Sequence, residues 1–148
     1  MSSSVETYDF HDHIGHLLRR AYQRHVAIFQ DAIPDSELTI AQFVTLCAVR
    51  DAEGSSLNDI VKSTAIDQGT IRGVIERLKV RSLIQVTPDP TDGRKLIVRT
   101  TAAGLAMVKH VVPFARQVTK NTFGPLNAGE QVALEFLLRK MIGAPESH

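Results

Sequence analysis

The stretch IDQGTIRGVIERL, residues 66–78, has the spacing of an amphipathic helix and yet contains two glycines. Its apolar residues recur at positions 71, 74, 75 and 78, which is the pattern of one helix face. A glycine inside a helix costs about 1 kcal/mol relative to alanine. At about 100° per residue, Gly69 and Gly73 project away from the apolar face. We therefore expect the glycines to let another molecule approach the helix closely. The alternative is that they are neutral replacements on a solvated face.

The sequence before this stretch predicts two further helices. Thr39 is a suitable N-cap for a helix over IAQFVTLCAVRD, and Ser56 for a short helix over LNDIVKST. Asp67 then caps the glycine-bearing helix, which we expect to run to about Arg81. Two short helices joined by so tight a turn predict a helix-turn-helix. The apolar residues that can share its core are Leu57, Ile60, Val61, Ile66, Ile71, Val74, Ile75 and Leu78.

The hydrophobic period changes after this unit. The runs LIQVTPD, residues 83–89, and RKLIVRTT, residues 94–101, are rich in strand-forming residues and flank the turn sequence PDPTDG. A β-hairpin directly behind a helix-turn-helix is a wing. Residues 39–100 are therefore predicted to form a winged helix-turn-helix.

Long helices are predicted on both sides of this unit. The first covers residues 9–33 and ends before Pro34, and two more lie within residues 101–143, beginning after Thr101 and Asn127. Pro113 is expected to kink the first of these two or to end its first half. The predicted fold is mainly α with a small β-hairpin wing, in a single domain over residues 1–148.

The composition is that of an ordinary globular protein, with 43% hydrophobic and 22% charged residues among 148. There is no apolar run of about 20 residues and no signal-peptide pattern, so we expect a cytoplasmic protein without membrane contact. We find no phosphate loop, no glycine-flanked serine and no HExxH motif, which argues against an enzyme, and no cofactor is predicted. Residues 1–54 contain four lysines and arginines against eight acidic residues, whereas residues 55–100 contain eight against five. This basic middle section predicts an anionic partner.

The second helix of a helix-turn-helix lies in the major groove of double-stranded DNA. With the apolar face inward, Arg72 and the glycines point outward, flanked by Gln68, Thr70 and Arg77. A glutamine side chain suits adenine, and an arginine suits guanine. The wing adds Arg94 and Lys95, which stand where a projecting loop can enter a minor groove. The predicted DNA-binding residues are Gln68, Gly69, Thr70, Arg72, Gly73, Arg77, Asp92, Arg94 and Lys95.

The two wing aspartates need separate explanation, because a carboxylate is unfavourable beside phosphates. Asp92 is expected to orient Arg94 or Arg77 through a charge-assisted hydrogen bond. The alternative is that Asp89 and Asp92 merely favour the turn, and the two roles are compatible.

The segment ERLKVRSLIQVTPDPTDGRKLIVRTTAAG, residues 76–104, resembles the MarR family of winged helix-turn-helix regulators. The family's wing pattern is matched by Asp89, Asp92 and Arg94, and the opening of its next helix by Thr101 and Gly104. The sequence departs from the family at residue 82, where serine replaces the usual glycine, and at residue 100, where threonine replaces leucine. The resemblance implies a homodimer built by the N- and C-terminal helices. It also implies a regulator that binds a pseudo-palindromic operator and usually represses transcription until a small ligand binds.

The residues support a dimer independently, since the terminal helices carry more apolar surface than the winged unit can cover. A two-fold dimer would place its recognition helices about 34 Å apart, one turn of DNA. A winged module that contacts protein only, without binding DNA, is the alternative.

The first helix carries four of the six histidines. Ligand sites in the resembled family lie between the dimerisation helices and the winged unit, and many are pockets for small aromatic acids. Accordingly, His11, His16, Arg19 and Arg20 are predicted to hold the carboxylate of such an acid, of the hydroxybenzoate or hydroxynicotinate type. The alternative is that they form an exposed helix face with incidental charge. A metal-responsive repressor remains an alternative, because Asp9 with His13 and Asp12 with His16 have metal-ligand spacing; no metal site is assigned. Cys47, the sole cysteine, is interpreted as a small core residue.

Overall fold

The computed structural model describes residues 7–143. Within them the chain forms a short 3-10 turn, six α-helices and a three-stranded sheet. In chain order these are the 3-10 turn (Phe10–Asp12), α1 (Ile14–Ala32), α2 (Ile40–Asp51), β1 (Ser55–Ser56), α3 (Leu57–Thr64), α4 (Gln68–Val80), β2 (Ile84–Pro88), β3 (Leu96–Thr100), α5 (Ala102–Phe123) and α6 (Ala128–Ile142).

The predicted N-caps are confirmed at five helices. In each, the cap side chain accepts a hydrogen bond from a backbone N–H group of the first turn, which satisfies a donor that the helix itself leaves unpaired. The five caps are Thr39, Ser56, Asp67, Thr101 and Asn127. Three of them, Thr39, Ser56 and Asn127, form reciprocal capping boxes.

The first helix begins later than its apolar pattern predicts. The chain at His13 is extended, with φ −73° and ψ 135°, and its Nδ1 atom accepts a hydrogen bond from the backbone N–H of Gly15. His13 therefore caps α1, and the residues before it form the separate 3-10 turn. The prediction of one continuous helix from residue 9 was wrong at this end, because a side-chain cap replaced helical backbone bonds. The end before Pro34 is confirmed.

The predicted hairpin is confirmed, with β2 antiparallel to β3 and Ile84 paired with Thr100. The sheet also has a third strand that the sequence did not predict. Ser55 and Ser56 pair with Val98 and Ile97, giving the order β1-β3-β2. Two residues are too few to display a strand period, and Ser56 also serves as the cap of α3.

The core joins α1, α2, the winged unit and α5. All eight apolar residues predicted to share the helix-turn-helix core contribute to it, and five of them are buried. Helix α5 continues through Pro113 to Phe123, so this proline does not end it. The residues Val111 and Val118 are buried on either side of the proline, and their packing holds both halves of the helix against the core.

Candidate DNA-binding surface and effector cavity

Helix α4 buries one face and leaves the glycine face open. Ile71 and Leu78 are almost fully buried, whereas Arg72 and Gly73 are exposed. A Cβ atom added at Gly73 would meet nothing within 4 Å, and one added at Gly69 would meet only Asp67 Oδ1, at 3.3 Å. Both glycines therefore face outward, so a flat surface of backbone is available to an outside partner.

Hydrogen bonds fix the side chains at the start of α4. Asp67 Oδ1 accepts from the backbone N–H of Thr70 at 2.8 Å, and Asp67 Oδ2 accepts from the Thr70 hydroxyl at 3.0 Å. These bonds lower the pKa of the exposed Asp67 carboxyl below its ordinary value. The Thr70 hydroxyl has thus used its proton, and it faces a partner as an acceptor and a methyl group. Gln68 Nε2 donates to Asn58 Oδ1 of α3 at 3.2 Å, and Asn58 is not among the residues predicted from the sequence.

The predicted arginines lie on two sides of α4. Arg72 borders a cleft toward the wing together with Lys79 and Leu96. Arg77 borders a different cleft, toward α2, with Glu37 and Gln42. The structure therefore brings Arg72 to the wing side, where a groove-bound helix and the hairpin could contact the same duplex, and places Arg77 on the opposite flank.

In the wing, the aspartates shape the turn. Asp92 accepts from the backbone N–H of Arg94 at 3.1 Å, and Asp89 accepts from the backbone N–H and the hydroxyl of Thr91, both at 2.8 Å. Within residues 7–143, no ion pair shorter than 4.0 Å includes Asp92. The predicted charge-assisted bond from Asp92 to the Arg94 or Arg77 guanidinium is therefore absent, because its carboxylate is engaged by the main chain of the turn.

The wing cations remain free to meet an anion. Arg94 and Lys95 are exposed and border a cleft whose opposite side is the start of α3, at Ser56 and Asn58. The wing and the start of α3 consequently present polar and cationic groups in the same direction. This arrangement suits the phosphate backbone of a duplex.

A second site lies along the first turns of α1. His16, Arg19 and Arg20 border an open cavity of about 380 Å³, a volume within the range of small-molecule sites. The remaining lining residues are Phe10, His13, Gly15 and Gln23. Three of the four predicted effector residues are thus brought together, and two guanidinium groups give the cavity a cationic side.

The fourth residue, His11, does not line this cavity. Its Nδ1 atom bonds to Asp9 Oδ1 at 2.7 Å, and its ring stacks on Phe10 with 4.0 Å between centroids. The ring of His16 lies 5.5 Å from that of His11, so His11 packs against a residue that lines the cavity.

Two polar residues that line this cavity, His13 and Gln23, are not among the predicted effector residues. With His16 and Arg20 they follow the spacing of one helix face, at positions 13, 16, 20 and 23. That periodicity is the signal that could have indicated them, and the spacing of His13 from Asp9 suggested only a metal ligand. No group of three or more histidine, cysteine or acidic residues within the described part of the chain is arranged to hold a metal ion.

His25 of α1 has a hydrogen-bonding partner on α5. His25 Nδ1 lies 2.8 Å from Thr122 Oγ1, which itself donates to the Val118 carbonyl, so His25 is the donor of this pair. Burial lowers the pKa of His25 and raises that of the half-buried Cys47 thiol. A neutral histidine and a protonated thiol are the forms that packing favours here.

The chain is similar to known proteins over most of its length. Residues 36–95 match the model of the MarR family. The HTH-type transcriptional repressor NicR of Pseudomonas putida is 54% identical over 140 residues, covering 95% of this chain and 89% of NicR. None of the helices in residues 7–143 has the length and apolar character needed to cross a membrane.

Two solved structures add information on ligands. BpsR of Bordetella bronchiseptica, whose DNA binding is regulated by 6-hydroxynicotinic acid, is 59% identical, with a TM-score of 0.88 over 93% of this chain and 99% of BpsR. The transcriptional regulator PcaV of Streptomyces coelicolor, solved with its natural ligand, is 29% identical, with a TM-score of 0.83 over 99% of this chain and 100% of PcaV. The predicted fold class is confirmed by these similarities.

Proposed function

The chain belongs to the MarR family of ligand-responsive transcriptional regulators, and from this premise we propose that it is a homodimeric repressor whose effector resembles 6-hydroxynicotinic acid. In this proposal the dimer binds a pseudo-palindromic operator in duplex DNA, and a hydroxylated aromatic acid releases it. The family consists of transcriptional regulators, and we assign no catalytic reaction to this chain. A regulator of this kind works where the chromosome lies, and we accordingly place it in the cytoplasm.

The observation that carries the DNA-binding proposal is the open face of α4. A Cβ atom added at Gly73 would meet nothing within 4 Å beyond its own helix backbone and chain neighbours, so the helix can approach the floor of a major groove. Gln68 and Arg72 then stand at the edges of this bare face, within reach of bases. Arg94 and Lys95 of the wing supply phosphate or minor-groove contacts.

The effector proposal rests on the cationic cavity along α1. A guanidinium of Arg19 or Arg20 can pair with a carboxylate, and the His16 ring can exchange a hydrogen bond with a ring hydroxyl or ring nitrogen. The similarity to BpsR identifies 6-hydroxynicotinic acid as the first compound to try. The cavity would bind a carboxylate at one end of the ligand and a hydroxyl group at the other. Nicotinic acid lacks this hydroxyl group, so the cavity would distinguish the two compounds.

The test is selection of bound duplexes from a random pool, followed by titration of the recovered operator with and without 6-hydroxynicotinic acid. We expect an inverted repeat whose affinity falls at least tenfold with the acid and less than twofold with nicotinic acid. Arg19→Ala combined with Arg20→Ala should keep the operator affinity and lose the response. The matched control Arg50→Ala removes an exposed arginine paired to neighbouring Asp51 and should keep both.

Two results would contradict the proposal. Failure to enrich any duplex at low ionic strength would remove the DNA-binding function. Recovery of an operator that responds equally when both Arg19 and Arg20 are alanine would remove the α1 cavity as the effector site.

A further inference from the structure

Asn58 on α3 makes a hydrogen bond that bridges the two helices of the helix-turn-helix. Its Oδ1 atom accepts from Gln68 Nε2 at 3.2 Å, ten residues along the chain. Both side chains are exposed. Because α3 is already capped by Ser56 and Asp59, the bond from Asn58 is not needed to start that helix.

The bond leaves the Gln68 amide able to read a base. A glutamine amide has two N–H donors and a carbonyl acceptor, and paired recognition of adenine uses one donor to N7 and the acceptor from N6. The bond to Asn58 uses one N–H group of Nε2, so one N–H group and the carbonyl oxygen remain for adenine. The bond therefore restrains the rotation of the amide plane and still leaves a donor and an acceptor free.

Asn58 also lies on the side of the molecule that faces the proposed duplex. It borders the same cleft as Arg94 and Lys95, between α3 and the wing. The Gln68 side chain is long and loses rotamer freedom when it binds a base. Because Asn58 already holds the Gln68 side chain in the free protein, less rotamer freedom is lost when the side chain binds a base.

We propose that Asn58 is a positioning residue for base recognition, which orients the Gln68 amide for an adenine in each half-site. This inference rests on the proposed DNA-binding function and adds a specificity determinant on α3, outside the recognition helix. Asn58 acts through Gln68 and does not itself need to contact the base.

The experiment compares Asn58→Ala, Gln68→Ala and the double variant on the selected operator. The operator is varied at every position, with a non-operator duplex as reference. Gln68→Ala identifies the position where adenine preference is lost. We expect Asn58→Ala to lower the preference at that same position by about three- to tenfold, with less than a twofold change on the reference duplex. In the Gln68→Ala background, Asn58→Ala should have no further effect.

Asn58→Asp provides the conservative comparison, because an aspartate retains the acceptor and adds a negative charge beside the phosphates. It should keep the adenine preference while lowering affinity for every duplex, which is the opposite pattern to Asn58→Ala. A purely structural role at the start of α3 would instead make both variants lose affinity on all sequences equally.

Three results would overturn the inference. These are equal loss on all duplexes for Asn58→Ala, persistence of its effect without Gln68, and no change in preference at any position for Gln68→Ala. In each of these cases the unaltered protein still binds its operator, so the proposed function stands. Absence of binding by the unaltered protein would remove both.

Discussion

At the scale of single residues, glycine serves opposite purposes at two positions. Gly104 lies where the first turn of α5 is pressed against the start of β2, and a Cβ atom there would come within 2.1 Å of the Leu83 carbonyl oxygen. The Thr101 backbone N–H donates to the same oxygen at 3.1 Å, which holds the two segments together. Gly73, by contrast, faces open space. The first glycine is required by the packing of the protein itself, whereas no contact within the described residues requires the second.

Alanine substitution should separate these two purposes. Gly104→Ala inserts a methyl group against backbone that cannot yield, so it should lower the free energy of unfolding by about 1–3 kcal/mol. Gly73→Ala adds no contact and improves helix propensity, so it should raise that free energy by up to about 1 kcal/mol. Urea denaturation of both proteins measures the difference. Equal destabilisation by the two substitutions would contradict the packing argument.

At the scale of secondary-structure elements, an ion pair ties the end of α1 to the end of α4. Asp35 follows Pro34 in the loop after α1, and its Oδ2 accepts from Nη2 of Arg81, the C-cap of the recognition helix. Less than a third of either side chain is exposed, at 22% and 28%. The guanidinium of Arg81 lowers the pKa of Asp35 from its ordinary value of 3.8. The angle of α4 is thus anchored to the helix that lines the effector cavity.

This pair predicts a stability difference that depends on pH. A carboxyl whose pKa is lowered by folding stabilises the protein above its unfolded-state pKa, and this contribution is lost as pH falls through the folded-state value. Asp35→Asn should therefore cost about 1–2 kcal/mol at pH 7, allowing for partial exposure, and the deficit should shrink below about pH 4.

Unfolding by denaturant across this pH range measures the difference between the two proteins. Asp51→Asn is the matched control, because its pair with Arg50 is on the surface and should contribute less than about 1 kcal/mol. A deficit that is the same at pH 3.5 and pH 7 would show that Asp35 acts through packing rather than charge.

The elements also show what a sequence can and cannot predict. Caps such as Thr39 and Ser56 act on backbone groups within three residues, so their signal is local and the helix starts follow from it. Strand β1 is two residues whose partner, β3, lies on the far side of the helix-turn-helix, and no local period indicates that pairing. The bond between Asn58 and Gln68 depends on the angle between α3 and α4, which periodicity does not specify. The candidate site was therefore predicted at the level of helix faces, and its side-chain partners were not.

At the scale of the whole molecule, the terminal helices leave a large apolar surface uncovered. No residue of α6 is buried, and its large apolar side chains stand in solvent in the single chain. The exposed members on α6 are Val132, Leu134, Phe136, Leu137, Met141 and Ile142, and those on α1 are Ile14, Leu17, Leu18 and Tyr22. These exposed apolar side chains do not stabilise an isolated protomer. Contact with a second copy of the chain explains them best.

Disrupting that contact should uncouple folding from operator binding. Leu137 and Met141 are one turn apart on α6 and are 54% and 59% exposed, so Leu137→Glu with Met141→Glu costs the single chain little. In the dimer each lost apolar contact is worth about 1.5–3 kcal/mol and occurs twice by symmetry, so the dimer dissociation constant should rise at least about a hundredfold. A monomer holds one half-site, and operator affinity should fall with it.

Sedimentation equilibrium and operator titration measure the two effects, and Lys140→Glu on the same helix controls for added negative charge. A double variant that stays dimeric, or a monomer that retains full operator affinity, would contradict the role of α6.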